Sequence, residues 1–524
     1  MKRLRSVCIM SILIVTLGLL AAPAWSADAP REETVILAFS SDIQTLDPHD
    51  HILRLGIITM YHLFDNLVVR HLDTGEIIPH LATSWKIIDD TTWEFKLRDD
   101  VVFHNGETFT AQTVKFNYDR ILNPDNNLPQ RGNHKEIKSV EVVDDTTVRF
   151  ITHRPYPIML ERMQNFQMIP EGYFKDKGKA HIAEHPVGTG PYKFVRWIRG
   201  RELLFERNEN YWGPKPALKY AKIRIIPDTS TQIAELLSGG IDIVRALPPD
   251  QIEVVNASGV ARHMISPILR TGFLQLDSVG RSGKHPVQNV KVRQALNHAM
   301  NIDGYIKYIL NGNADRVATV INPKAFGYDP TLVPYEYDPD KARALLKEAG
   351  YPDGFELRFR TGLTTVEPGL EQTTQAMAAD LEKIGIKVKI DQINEVGPYV
   401  TQVKEGKAGP LFVWSWGYYS VFDADGILYD LFHCGGLDED GQPKDTPWAY
   451  YCDEEMDKWI EAARGTIDQE KRQKLYTQIQ KKLHEDAAHV FKWGFHGIWG
   501  VSKRLTWKAP IDEIDRMFLA APAQ

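Results

Sequence analysis

Two different hydrophobic periods share this chain, and a single core does not serve both. Residues 85–97 hold two strand-like runs around Asp89-Asp90-Thr91-Thr92, and residues 140–150 repeat the device around Asp144-Asp145-Thr146-Thr147. Each reads as a β-hairpin closed by a short polar turn. Two such copies are too short for a solenoid, so they predict similar turns in one sheet-rich subdomain. From Ile223 the grammar changes: residues 223–226 read as strand, 229–239 as helix and 241–244 as the next strand. Alternation of that kind marks an α/β fold. At 524 residues the chain exceeds what one hydrophobic core usually fills, so two or more lobes are expected.

The first 26 residues stand apart from this pattern. Lys2, Arg3 and Arg5 precede a mostly apolar run over 7–22 without an acid, and Ala24 and Ser26 are small residues placed for cleavage after Ser26. That pattern predicts a signal peptide, 1–26, and a periplasmic destination. The alternative is an uncleaved anchor, but the run is shorter than the roughly 20 apolar residues a span needs. No second apolar stretch of spanning length follows Trp25. Removing 26 residues from 524 leaves 498, and the loss of three positive charges moves the formal balance from -7 to -10. An acidic chain of this kind is not built to bind nucleic acid. Cys8 leaves with the leader, and Cys434 and Cys452 then favour a local disulfide in an exported protein. A metal pair with His433 is the alternative, without the usual zinc-ligand spacing.

Local signals place several further elements. Residues 34–39 read as a buried strand, followed by a turn at Asp47-Pro48. Asp338, Pro339 and Gly350 punctuate one helix, and Asp468 opens another whose Leu475, Ile479 and Leu483 form a core stripe. Between them, residues 411–413 form a strand followed by Trp414, Trp416, Tyr418, Tyr419 and Phe422. Two readings compete for these aromatics: packing, because such rings dominate cores, or a ligand wall at a strand end facing a cleft between lobes. On the second reading, Trp416→Ala is expected to weaken binding with little loss of stability.

An ordered series of short motifs over nearly the whole chain resembles the family 5 solute-binding proteins of bacterial ABC importers. The series runs through Leu46-Asp47-Pro48, LFDNL at 63–67, Ile78-Pro79 with Leu81-Ala82 and Ser84-Trp85, and FKLRDDVVFHNGETF at 95–109. It continues with Gly188-Thr189-Gly190-Pro191-Tyr192, NENYW at 208–212, IAELLSGGID at 233–242, VRQAL at 292–296 before Asp303, residues 338–350, and Tyr451-Cys452-Asp453.

The resemblance implies an α/β fold of the periplasmic-binding-protein type II, two lobes with an extra β-rich subdomain in the first. Lobe I would take 27–275 with the subdomain at about 70–185, lobe II 276–489, and the C-terminal return to lobe I 490–524, with strand crossings near 275 and 490. It implies capture of a peptide or peptide-like solute and delivery to permease subunits in the inner membrane, by a monomer without cofactor or metal. In dipeptide binders of the family an Asp after the Trp-Gly turn pairs with the ammonium, and a lobe II Arg pairs with the carboxylate. Here Tyr418 or Tyr419 stands at that turn and residues 361–367 hold no Arg, so a dipeptide held at both charged ends is not expected. Asp423 and Asp425 lie nearby and serve either as acids for the solute or to shape the loop. The expected ligand contacts are Asp47, Trp414, Trp416, Gly417, Tyr418, Tyr419 and Asp423. No G-x-S-x-G elbow, H-E-x-x-H helix or Walker A loop occurs, so no enzyme is expected. Alternatives are an oligosaccharide or opine, whose faces suit the aromatics, and nickel or a metallophore held by His49 and His51.

Overall fold

The computed structural model describes residues 29–523 apart from 52, 363–366, 368, 394, 418–420, 440–441 and 446–447; the expected leader and the expected contacts Tyr418 and Tyr419 lie outside the described residues.

Both periods read from the sequence are present. The strands Ala82–Asp89, Thr92–Leu97, Thr147–Thr152 and Ile137–Asp144 form a four-stranded antiparallel sheet in that spatial order. Its two turns are the same device: Asp89 Oδ1 accepts from Thr91 N at 2.9 Å, and Asp144 Oδ1 accepts from Thr146 N at 2.9 Å. An aspartate that satisfies the amide two residues on imitates a backbone turn, which explains the repeated sequence. One face of this sheet buries Phe95, Val148 and Phe150 against Val114, Tyr118 and Ile121 of the helix Ala111–Leu122. Phe95 and Phe150 meet edge to face at 5.2 Å, a geometry that adds to simple burial.

The larger sheet has eleven strands among the described residues. Its centre is a pair of long antiparallel strands, Ala261–Leu276 and His489–Ser502. The first halves pair Ala261–Pro267 with 496–502; the second halves pair Thr271–Gln275 with 489–494, and there Leu411–Trp416 adds on the far side. Register breaks between Pro267 and Thr271 and again between Gly272 and Phe273. Proline donates nothing to a ladder, and a bulge bends the strand that carries it. On one side of this crossing the sheet continues through Ile243–Val244, Thr34–Phe39 and Tyr220–Ile225; on the other it continues to Glu356–Thr361 and Lys387–Gln392. The result is a mixed α/β molecule of two lobes, with the hairpin sheet as the extra subdomain.

Helix punctuation follows the sequence. Asp228 accepts from Thr231 N at 2.7 Å to start Thr229–Ser238, which Gly239 ends at a φ of 82°. Asp338 and Asp468 cap Pro339–Glu348 and Gln469–Glu485, and Ile479 and Leu483 are buried. Cys434 and Cys452 are joined, with 5.4 Å between their Cα atoms and 18 residues of separation. Closing a loop of that length restricts the unfolded chain by about 3 kcal/mol. Replacing both cysteines by alanine is expected to lower unfolding free energy by about that amount, read as a shift in urea midpoint at constant slope. An unchanged midpoint would show that the loop is held without the link.

Candidate functional site

The aromatic strand Leu411–Trp416 divides its side chains by the two-residue period of a strand. Leu411 and Val413 join one core cluster, whereas Phe412, Trp414 and Trp416 join another with Tyr399, Ile427 and Tyr450. Trp414 is 6% exposed, lies parallel to Tyr399 at 6.2 Å, and its indole N–H finds no partner among the described residues. Trp416 is 8% exposed and donates from Nε1 to Gly426 O at 2.7 Å. Both rings are therefore packed into the core, and Trp414 is not among the residues that line the cavity described next. The expected neutrality of Trp416→Ala in stability is replaced by a loss of about 3–5 kcal/mol, the usual effect of truncating a buried tryptophan.

Trp416 also forms the floor of a cavity of about 480 Å³ between the two sides of the molecule. Trp448, Tyr429, Asp430, His433 and Asp445 complete the lobe II wall; Pro129, Gly132, Asn133 and Lys135 of the hairpin subdomain face them. Cavities of about 300–1,000 Å³ with aromatic walls and a few polar groups hold small ligands. The walls carry both signs of charge. Burial lifts the Asp430 carboxyl above the usual carboxylate range, against the pull of Arg162 and Arg464. His433 lies 3.0 Å from Asp445 and 3.1 Å from Glu461.

Ion pairs join the subdomain to lobe II around this cavity. Arg154 reaches Glu461 at 2.5 Å, and Phe422 N donates to Glu161 at 2.9 Å. The Asp425 carboxylate lies between Arg162 of the subdomain at 4.0 Å and Arg464 at 3.7 Å. Arg464 stacks over Tyr429 at 3.5 Å, and Arg70 over Phe422 at 3.7 Å. The two sides are in contact in this conformation.

Two expected contacts are instead structural. Asp47 is fully buried, its carboxylate bound to Arg120 at 2.5 and 3.0 Å, and Oδ1 also accepts from His49 N at 3.1 Å. Asp423 is buried against Arg472 and the Tyr476 hydroxyl, each at 2.8 Å, so of its two readings the loop-shaping one fits. Gly417 ends the aromatic strand where a side-chain carbon would stand 3.0 Å from Arg270 Nη2, so its lack of one lets the guanidinium approach. His49 does not suit a metal: one ring nitrogen meets Gln167 O at 2.9 Å and the other lies 2.6 Å from Arg120. Among the described residues no group of three or more His, Cys, Asp or Glu is arranged to hold a metal ion. Sequence reasoning missed Trp448, Asp430 and Lys135, which lie far apart in the chain and carry no local pattern.

Residues 76–439 match the family model of bacterial extracellular solute-binding proteins, family 5 Middle. The glutathione-binding protein GsiB of Pectobacterium atrosepticum is 31% identical over 503 residues, covering 94% of this chain and 93% of its own. The dipeptide-binding protein of Escherichia coli is 30% identical over 451 residues, covering 81% and 82%. Among solved structures, the ABC transporter-associated periplasmic binding protein DppA from Helicobacter pylori, in complex with peptide STSA, superposes with a TM-score of 0.77 at 27% identity, covering 94% of this chain and 98% of that one. With motif order, two-lobed sheet and interlobe cavity in agreement, the chain belongs to the family 5 bacterial extracellular solute-binding proteins.

Proposed function

We propose that this protein is the periplasmic receptor of an ABC importer, which captures a peptide or peptide-like zwitterion between its lobes and hands it unaltered to membrane permease subunits. The observation that carries the reading is the cavity over Trp416, with Lys135 on one wall and Asp445 on the other. A zwitterion meets opposite charges there while its apolar parts lie on Trp416 and Trp448. Glutathione-binding and dipeptide-binding relatives support that solute class. The basic and apolar leader, 1–26, supports export and cleavage. The chain acts as a monomer, without catalysis or a cofactor.

We place the boundary between lobes at the register break, residues 267–271 opposite 494–496, a few residues from the 275 and 490 expected from the resemblance. A bulged crossing bends without loss of the flanking ladders. Closure is then a shift between open and closed populations, driven by contacts that the solute makes to both walls only when they meet. Converting a mostly open ensemble into a mostly closed one takes about 5.5 kcal/mol of preference.

Native mass spectrometry of freshly purified protein, followed by calorimetric titration and small-angle scattering, tests the reading. A bound peptide-like mass, recovered unchanged, and compaction on rebinding are expected. A covalently altered solute, or no compaction with any peptide or glutathione, overturns it. Trp448 is only partly buried, so Trp448→Ala is expected to weaken solute binding roughly 10- to 100-fold while the unfolding midpoint barely moves. Equal affinity for wild type and variant would remove Trp448 from the site.

A further inference from the structure

The crossing between the lobes carries an arginine, Arg270, that bridges the C-terminal segment and lobe II. Arg270 stands inside the register break, where Asn322 fixes the backbone by donating to Ile268 O at 3.2 Å and Arg270 O at 3.0 Å. Its guanidinium faces Glu513 of the C-terminal segment on one side and Ser415 Oγ and Gly417 of lobe II on the other. The contacts to both Glu513 oxygens and to Ser415 are all 3.4 Å. Charge-assisted hydrogen bonds normally run at about 2.7–2.9 Å, and the protein attains that range at Arg516–Asp512 (2.7 Å) and Arg472–Asp423 (2.8 Å). Arg270 is thus bonded to Glu513 and Ser415, but at the long end of the hydrogen-bond range.

Its neighbours add positive charge. Arg54, the first residue of the helix Arg54–Leu63, approaches the same Glu513 carboxylate at 3.5 Å. That helix start has no side-chain cap, so its dipole adds to the positive potential. Arg245 is paired with Asp515. Across this group Arg54, Arg245, Arg270 and Arg516 meet Asp512, Glu513 and Asp515, four cations against three anions. Glu513 is also held at a φ of 60°, a conformation that non-glycine residues adopt at a cost and that recurs at ligand clamps. Arg270 and Arg54 keep 18% and 17% of their side-chain surface exposed.

We propose that Arg270, with Arg54 beside it, receives a free carboxylate of the solute at the hinge. The solute anion makes the short, forked contacts that Glu513 does not, and balances the surplus charge. Arg270 lies on the crossing strand and touches lobe I through Glu513 and lobe II through Ser415, so an anion seated there stands where the halves rotate. This deepens the capture reading above and rests on it.

The test uses the mature full-length chain as wild type, R270Q and R270K, titrated with Met-Leu, glutathione and the C-terminal amides of both. For whichever peptide binds, R270Q is expected to weaken the free acid roughly 100-fold and the amide hardly at all, so acid and amide converge in the variant. R270K, which keeps charge but loses the fork, should fall between; it carries the test if R270Q does not fold. Equal losses for acid and amide, or none for either, overturn the carboxylate site and leave the capture reading standing. If neither peptide binds wild type, capture of peptides fails, and acetate decides the site: saturable tryptophan fluorescence change in wild type that R270Q abolishes upholds it, and no such change in wild type overturns it.

Discussion

Lowering the pH from 6.5 to 4 is expected to unfold this protein cooperatively. The cause is burial of neutral histidines. Desolvation brings His51 and His62 down to about 4 and His134 and His489 down to about 3. The bonding of His62 agrees: Met517 N donates to Nε2 at 3.0 Å, so that nitrogen is a bare acceptor and Nδ1 donates to Ile58 O at 2.8 Å. Neither ring nitrogen of His134 finds a hydrogen-bond partner among the described residues, Phe166 and Tyr118 stand at 4.5 and 5.7 Å, and Arg162 and His49 add positive charge that opposes its protonation.

Between pH 4 and 6.5 the unfolded chain therefore binds protons that the folded chain refuses, and stability rises with pH across that window and falls on acidification. Each such histidine contributes about 1.4 kcal/mol per pH unit while its two states differ fully. Four together rival the whole stability of a typical domain, about 5–15 kcal/mol. Asp65, which is paired with His80 and bonded by Trp212 and Thr189, and Asp277 have depressed carboxyls, so their stabilisation persists in this window and is lost only at lower pH. Circular dichroism across pH, with His134→Phe as the comparison, reads the effect. A midpoint near pH 3, unmoved by that substitution, would falsify the assignment to histidine.

Arg472→Met should be among the most destabilising single changes in lobe II, lowering unfolding free energy by about 3–5 kcal/mol. It strands Asp423, whose carboxyl is already pushed up by burial and is kept ionised chiefly by Arg472. Removing the charge as well, in Asp423→Asn/Arg472→Met, should return about half the loss, because an amide in that place needs no counter-ion and Tyr476 can still donate to it. Urea unfolding of the single and double variants gives the coupling directly. Strict additivity would mean that the pair acts independently and that the loop around 423 is held by its apolar neighbours.

How much of this was legible in the sequence follows from the range of each interaction. The Asp-Asp-Thr-Thr turns were readable because an aspartate and the amide two positions later are local partners. Helix caps at Asp228, Asp338 and Asp468 were readable for the same reason. The role of Asp47 was not, since its partner Arg120 lies 73 residues away and no period links them. The aromatic run was visible, but which rings pack and which face space depends on strand pairing with Thr271–Leu276 and on Tyr399 and Trp448, both remote in sequence. Arg270 gave no signal: an arginine in a strand is common, and only the break in register sets it apart.

The continuous sheet that joins the halves makes the molecule suited to optical sensing. Exposed Lys138 on the hairpin sheet and Lys458 on the helix Glu454–Arg464 lie on opposite jaws. A donor dye and an acceptor dye at those two places would report the rotation proposed about the bulged strands as a change in energy transfer, with no need to label the solute.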